Sequence, residues 1–229
     1  MKSIKKIVII SIITIIGIMI YFMFPKLFNK NNSISEKKTI LKNYPKTLDT
    51  IKTIRNNIKN KSTQEKGEKF TDLIINNIFP YWYGTPWDYN GTTKKPNEGK
   101  IACGYFVTTT IEHMGFSLNR IKLAQCASEE MIKELVSKEY IFRFSGISIN
   151  EFEKRIIAKG NGLYIIGLDN HTGFVLVSNE GNYFIHSSYT IPRKVLKEKL
   201  SDSKIIEKSK YRVLGKVSAD KKFLTNWTT

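Results

Sequence analysis

Residues 163–187 read LYIIGLDNHTGFVLVSNEGNYFIHS. Three short apolar segments, 163–168, 171–178 and 183–187, are separated there by Asp169-Asn170 and by Asn179-Glu180-Gly181-Asn182. Both interruptions are hairpin-type turn signals, so the stretch predicts three consecutive antiparallel strands. Residues 212–217 predict another. The periodic segments before this stretch have helical spacing instead. Leu41, Tyr44, Leu48, Ile51, Ile54 and Ile58 recur at intervals of three and four, which puts them on one face. A second helix is expected to start near Thr63, to turn Phe70, Leu73, Ile74 and Ile78 inward and to stop at Pro80. An amphipathic helix is expected from Cys103 through Val107 and Ile111 to Met114, with Gly115 as its C-cap. Ser128 reads as the N-cap of a helix reaching Val136, and 150–159 as a helix ended by Gly160. Helices first and an antiparallel sheet afterwards define an α+β domain.

Outward from this domain, composition sets the surroundings. An almost unbroken apolar run begins at Ile7 and ends at Phe24, interrupted only by Ser11, Thr14 and Gly17. Its eighteen residues fall within the roughly 17–25 that cross a bilayer. A cleavable signal has a shorter apolar centre followed by small residues. Here the run closes on Tyr21-Phe22-Met23-Phe24-Pro25, so an uncleaved transmembrane anchor is the favoured reading over an export signal. Lysines flank the run about equally on both sides, so charge does not fix its orientation. The expected organisation is an anchor over 1–25, a polar tether over 26–40, a helical lead-in over 41–80 and a catalytic domain over 81–229.

The net charge of +17 suits an anionic environment. The basic residues are mostly lysines scattered along the chain, not a stripe interleaved with aromatics, which argues against specific nucleic-acid recognition. No Cys or His pair has zinc-like spacing, and neither a metal nor another cofactor is expected. Oligomeric state is not encoded in any pattern we recognise. Cys126, just before Ser128, reads as a small buried apolar residue, and a bridge to Cys103 would consume the one plausible nucleophile.

Cys103 stands where a Gly/Pro/Asn-rich loop gives way to a helix, and a helix start favours the thiolate, the reactive form. A cysteine nucleophile needs a base, and the base needs a group that holds its ring in one tautomer. His171 opens one predicted strand and His186 ends the next, so adjacent antiparallel strands would bring both imidazoles to one end of the sheet. His113 lies near the C-terminus of the Cys103 helix, where a cationic ring suits the macrodipole, and is expected to be structural. The aromatics of 81–91 suggest a binding rim.

These residues resemble the papain-like cysteine peptidases of the NlpC type, which cut peptides in bacterial cell walls. The resemblance covers roughly 81–217. Gly84-Thr85-Pro86-Trp87-Asp88-Tyr89-Asn90-Gly91 is similar to the family's loop ahead of the nucleophile, and Cys103-Gly104-Tyr105-Phe106-Val107 to its nucleophile helix. Leu163-Tyr164-Ile165-Ile166 resembles the strand before the base, His171-Thr172-Gly173-Phe174-Val175 the strand carrying it, and Phe184-Ile185-His186-Ser187-Ser188 the strand bearing the third residue. The family has Asp before the cysteine and Ser-Gly after it, where this chain has Ala102 and Gly104-Tyr105. Its loop tyrosine aligns with Trp87, for which Tyr89 is the candidate substitute.

The resemblance implies a papain-like fold and a cysteine hydrolase cleaving an amide bond, with a cell-wall peptide as substrate; the apolar run from Ile7 to Phe24 would make it membrane-anchored, and a wall substrate would place its catalytic domain outside the cytoplasmic membrane. Cys103, His171 and His186 would be catalytic, and Trp87, Tyr89 and Gly104 would bind substrate. A cysteine acyltransferase or deamidase of the same fold is the alternative within that chemistry. A non-catalytic, membrane-tethered binding module is the alternative outside it.

Overall fold

The computed structural model describes residues 43–229. The run from Ile7 to Phe24 and the tether over 26–40 lie outside the described residues. Among the described residues no helix is long and apolar enough to cross a membrane. Pro45–Thr229 forms one compact unit, an α+β arrangement around a six-stranded antiparallel sheet.

Helix α1 spans Tyr44–Asn57 and α2 spans Thr63–Leu73. Ser62 caps α2 through a capping box: its hydroxyl accepts from the Glu65 N–H while the Glu65 carboxylate accepts from the Ser62 N–H. Pro80 does not stop this helix as its sequence predicts. Ile74–Ile78 winds as a π-helical turn, with the Phe79 N–H bonded to the Ile74 carbonyl, and a last α-turn, α3, spans Phe79–Trp82. Proline lacks an N–H and collides with the carbonyl four residues back. The wider turn shifts the bonding by one residue and leaves Pro80 in the first turn of α3, where it is tolerated.

Helices α4 (Cys103–His113), α5 (Arg120–Gln125) and α6 (Ser128–Leu135) follow. Then come β1 (Ile141–Ser145), α7 (Ile149–Ile157), β2 (Gly162–Leu168), β3 (Thr172–Ser178), β4 (Gly181–Ser187) and β5 (Val195–Lys199). A short α8 (Lys204–Lys208), β6 (Tyr211–Lys216) and α9 (Lys221–Thr228) complete the chain. The sheet order is β1-β6-β2-β3-β4-β5. The predicted meander forms its centre, β6 returns to lie between β1 and β2, and β5 forms the edge beyond β4.

The two faces of β3 carry different helices because alternate side chains point to opposite sides. Phe174 meets Phe106 of α4 edge-on at 6.0 Å and Phe79 at 4.9 Å. On the other face Val175 and Val177 join Phe152 and Ile156 of α7 in a second cluster. Helix α4 is not amphipathic as expected, since every residue from Gly104 to Ile111 is buried. Its threonines tolerate this because the hydroxyls of Thr108 and Thr110 donate to the Gly104 and Phe106 carbonyls at 3.0 and 2.9 Å. Ser128 is the first residue of α6, one past the N-cap position held by Ala127.

The C-terminal helix fastens α4 to α2. Phe70 meets Phe116, Phe223 and Trp227 edge-on, and the Trp227 indole N–H donates to the Met114 carbonyl at 2.8 Å, at the C-terminal end of α4. Trp227→Ala is therefore expected to cost about 3–5 kcal/mol, the range for truncating a buried large aromatic. Urea unfolding monitored by circular dichroism measures it; a loss under 1 kcal/mol would mean that α9 does not brace α4.

Candidate active site

Two strands and one loop hold Cys103. The loop before it is tied to β5 and the turn ahead of β5: the Gly84 N–H donates to the Val195 carbonyl and the Trp87 N–H to the Arg193 carbonyl, at 2.8 and 2.9 Å. Its far end is tied to β4, because the Ser187 hydroxyl donates to the Ile101 carbonyl at 2.7 Å. Ala102 is extended and Cys103 is the first residue of α4, so the backbone amides of the first turn point toward the thiol's end of the helix. Gly104 lies so close to α5 that a Cβ would run into the Ala124 carbonyl oxygen.

His171 stands one residue before β3, where its carbonyl accepts from the Leu168 N–H at 2.8 Å and closes the Asp169-Asn170 turn. His186 is on β4, its ring stacked on Phe184 at 3.9 Å. Gly173 is necessary for this approach: a Cβ there would come within 2.8 Å of His186 Cβ and of the Ile185 carbonyl oxygen.

The two imidazoles meet. His171 Nε2 and His186 Nδ1 are 2.9 Å apart, and His186 Nε2 is 3.2 Å from Glu198 Oε1 on β5. At 3% and 1% exposure both rings are shut off from water, so their protons must be shared within the protein. A carboxylate only accepts, hence His186 Nε2 carries a proton. Neutral His186 then has a bare Nδ1, which accepts from His171 Nε2–H. Neutral His171 is left with its lone pair on Nδ1, and that atom is buried with no hydrogen-bond partner.

Cys103 and His171 line one cavity of about 700 Å³, together with Trp87, Tyr89 and Tyr189. They also line a second one of about 490 Å³, with Cys126 and Tyr211. No hydrogen bond joins the thiol to the imidazole here; the thiol's neighbours include the backbone N–H groups of Thr172, Gly104 and Cys103 itself.

Electrostatics correct one expectation. Burial pushes the Cys103 thiol up, and the three amide N–H groups oppose that without overcoming it, so the helix start does not produce a standing thiolate. Burial, with the neighbouring His186 ring, holds His171 well below the usual imidazole value. Burial also lowers His186, against the pull of Glu198. Burial alone would raise Glu198, but hydrogen bonds from His186 and Ser203 outweigh it and leave the carboxyl below its ordinary range. The resting arrangement is thus a neutral thiol, two neutral imidazoles and a carboxylate.

The structure gathers Cys103, His171, His186, Trp87, Tyr89 and Gly104 at or around one cleft. Trp87 packs 6.3 Å from Tyr189, with the Arg193 guanidinium over its ring at 5.7 Å, while Tyr89 is 81% exposed on the lip. Glu198 and Tyr189 are additions that the sequence did not reveal. Tyr189 sets its ring edge-on to His171 at 5.2 Å. Cys126 is partly exposed, not buried, and its thiol donates to the Leu123 carbonyl at 3.3 Å; both cysteines are free. His113 lies against Trp82, 6.0 Å between ring centres, and burial pushes it down to about 4. It is therefore neutral near pH 7, not the expected cation. Among the described residues no group of three or more His, Cys, Asp or Glu could hold a metal ion. Comparison with protein-family models, curated proteins and solved structures gave no match.

All three histidines have folded-state values below the unfolded one near 6.5. Unfolding therefore takes up protons once the pH falls below that value, and their contribution to stability, complete above pH 6.5, drains away as the pH drops toward the folded values. For His113 alone the window runs from 6.5 to about 4. The Tm should accordingly fall between pH 7 and pH 5 at constant ionic strength. An unchanged or higher Tm at pH 5 would mean that the folded protein accommodates charged imidazoles.

Proposed function

We propose that this chain is a papain-like cysteine hydrolase that cleaves an amide bond, with a cell-wall peptide as the substrate its NlpC-type resemblance suggests. One observation carries the reading: a buried imidazole whose only unpartnered nitrogen, His171 Nδ1, bears the lone pair and shares a cleft with a thiol at a helix start. A structural histidine would have both nitrogens satisfied.

In this reaction the Cys103 sulfur attacks the carbonyl carbon as His171 Nδ1 takes the thiol proton. Because burial favours the neutral thiol and imidazole, proton transfer and attack run together. The negative oxygen of the tetrahedral intermediate is held by the Cys103 backbone N–H and a donor from the preceding loop. His171, now an imidazolium, keeps its Nε2–H on His186, whose own Nε2–H faces the Glu198 carboxylate. It returns the proton from Nδ1 to the leaving amine, and the C–N bond breaks to leave a thioester on Cys103. Water then attacks the thioester, His171 takes its proton, the C–S bond breaks, and the proton returns to sulfur as the acid leaves. Anchorage through the segment from Ile7 to Phe24, with this domain outside the cytoplasmic membrane, would put the cleft next to the wall.

Cys103→Ala should abolish turnover of wall-derived peptides without unfolding the domain. His171→Ala should lose at least about 100-fold in kcat, the lower end of what a general base supplies. Thiol and base act as a unit, so the double variant should be no worse than Cys103→Ala alone. Full turnover by Cys103→Ala would remove the enzyme reading, and a double variant far below both singles would remove the pairing.

His186→Asn should retain more activity than His186→Ala, since an amide oxygen still accepts from His171 Nε2–H. Glu198→Ala should lower kcat by about 10–100-fold, the usual cost of losing an outer partner that fixes an imidazole, with little change in KM. Equal kcat in all three variants, at matched thermal stability, would show that the tautomer is not set by this relay.

A further inference from the structure

The cavity that holds Cys103 and His171 on the Trp87 side has an unusual wall for this chain. Among the described residues no Lys or Arg lines it, and no carboxylate lines it either. Two guanidinium groups stack on rings of its wall: Arg193 over Trp87 at 5.7 Å, and Arg120 over Tyr105 at 4.7 Å. Arg120 is further committed to the Thr109 hydroxyl at 2.7 Å and the Thr92 carbonyl at 2.8 Å. What remains for a ligand is aromatic surface from Trp87, Tyr89, Tyr105 and Tyr189 with a few uncharged amides.

The lip extends this surface outward. Among the described residues only Tyr89, Ile121, Ile157 and Ile191 are large hydrophobics left exposed. One of them lines this cavity, and two are near neighbours along the chain of residues that line it. Tyr89, 81% exposed, lines it directly. Ile191, 92% exposed, stands two residues beyond Tyr189, in the turn closed by the Arg193 N–H on the Thr190 carbonyl at 2.6 Å. Ile121 lies three and four residues before Ala124 and Gln125, both in the cavity wall, so it shares their face of α5. Single exposed apolar side chains need no explanation, but here three of the four fall on or within four residues of the lining of one cleft.

We infer that the flank of the amide substrate seated on the Trp87 side is uncharged and apolar, a ring-bearing or branched side chain or acyl group, and that it reaches the lip at Tyr89 and Ile191. This deepens the hydrolase reading and rests on it. A carboxylate or an ammonium in this cleft would lose water and find no opposite charge.

The test uses the full-length chain in a non-ionic detergent and a set of wall-type peptides of one length. Phe, Asp or Lys is placed in turn at each position on either side of the scissile bond. On one flank kcat/KM with Phe should exceed that with Asp or Lys by at least about 10-fold, the scale on which an apolar pocket discriminates. Tyr89→Ser and Ile191→Ser should shrink that preference by lowering kcat/KM for the Phe peptide more than for the Asp peptide. The same peptides are titrated onto Cys103→Ala by fluorescence anisotropy, which reads the preference without any chemistry. If no peptide is cleaved but Cys103→Ala prefers Phe, the hydrolase reading falls and the cleft assignment stands. A preference for Asp or Lys, or none, overturns the inference. So does an intact Phe preference in both lip variants, including the case where they reduce quenching of the protein's tryptophans by brominated lipid, which would make the lip a bilayer contact.

Discussion

Two neutral imidazoles can share a hydrogen bond in either direction, and on their own they would not choose. Glu198 chooses for them. Its carboxylate can only accept, so His186 must present a proton at Nε2, 3.2 Å away, and a bare nitrogen at Nδ1. The 2.9 Å contact to His171 then has one permitted sense. The β4–β5 register sets Glu198 opposite Phe184 and so diagonal to His186 on the same face, and the missing side chain at Gly173 lets the His186 ring lie close to β3. The result is a lone pair held at His171 Nδ1 in a dry site. An unsatisfied buried acceptor of this kind costs on the order of 1–3 kcal/mol.

The part of this that could be read from sequence was the part set locally. Asp169-Asn170 and the Asn179–Asn182 turn announce the β2-β3-β4 meander, and the meander brings His171 and His186 to one end of the sheet. Gly115 and Gly160, both with positive φ, mark helix ends that their sequence positions suggest. The part that could not be read depends on pairing between distant segments. Strand β5 is five residues with three charges, too short and too polar to show a strand period. That Glu198 faces His186 follows only from its alignment opposite Phe184. Pro80 is misread for a related reason, since a π-helical turn absorbs it and no local rule announces such a turn.

Depth of burial explains the thiol in the same way. A helix start favours a thiolate, and sequence displays the helix start. It does not display that α4 is buried from Gly104 to Ile111, with even Thr108, Thr109 and Thr110 enclosed. Desolvation therefore outweighs the first-turn amides and holds the sulfur protonated at rest. The same desolvation keeps His171 neutral. Both shifts oppose a standing ion pair, so the proposed chemistry must create charge as the carbonyl is attacked. The His186–Glu198 arm is the only part of the relay already carrying the negative charge that a nascent imidazolium needs. Glu198 is thus an electrostatic partner of the proposed reaction as well as the group that fixes the tautomer.

The charge of the whole molecule and the charge of the cleft then belong to different constraints. A net +17 spread over lysines acts on the long-range field, on solubility and on attraction to anionic surroundings. Within the cleft the same excess would be harmful. A nearby ammonium would lower His171 further and make its protonation harder, though it would also favour the thiolate. The fold avoids that compromise by stacking Arg120 and Arg193 behind Tyr105 and Trp87, where each guanidinium supports a ring and does not reach the cavity. Long-range attraction to anionic surroundings and local neutrality can therefore coexist, and in the proposed reaction the second would leave the thiol and its base to be tuned by burial and Glu198.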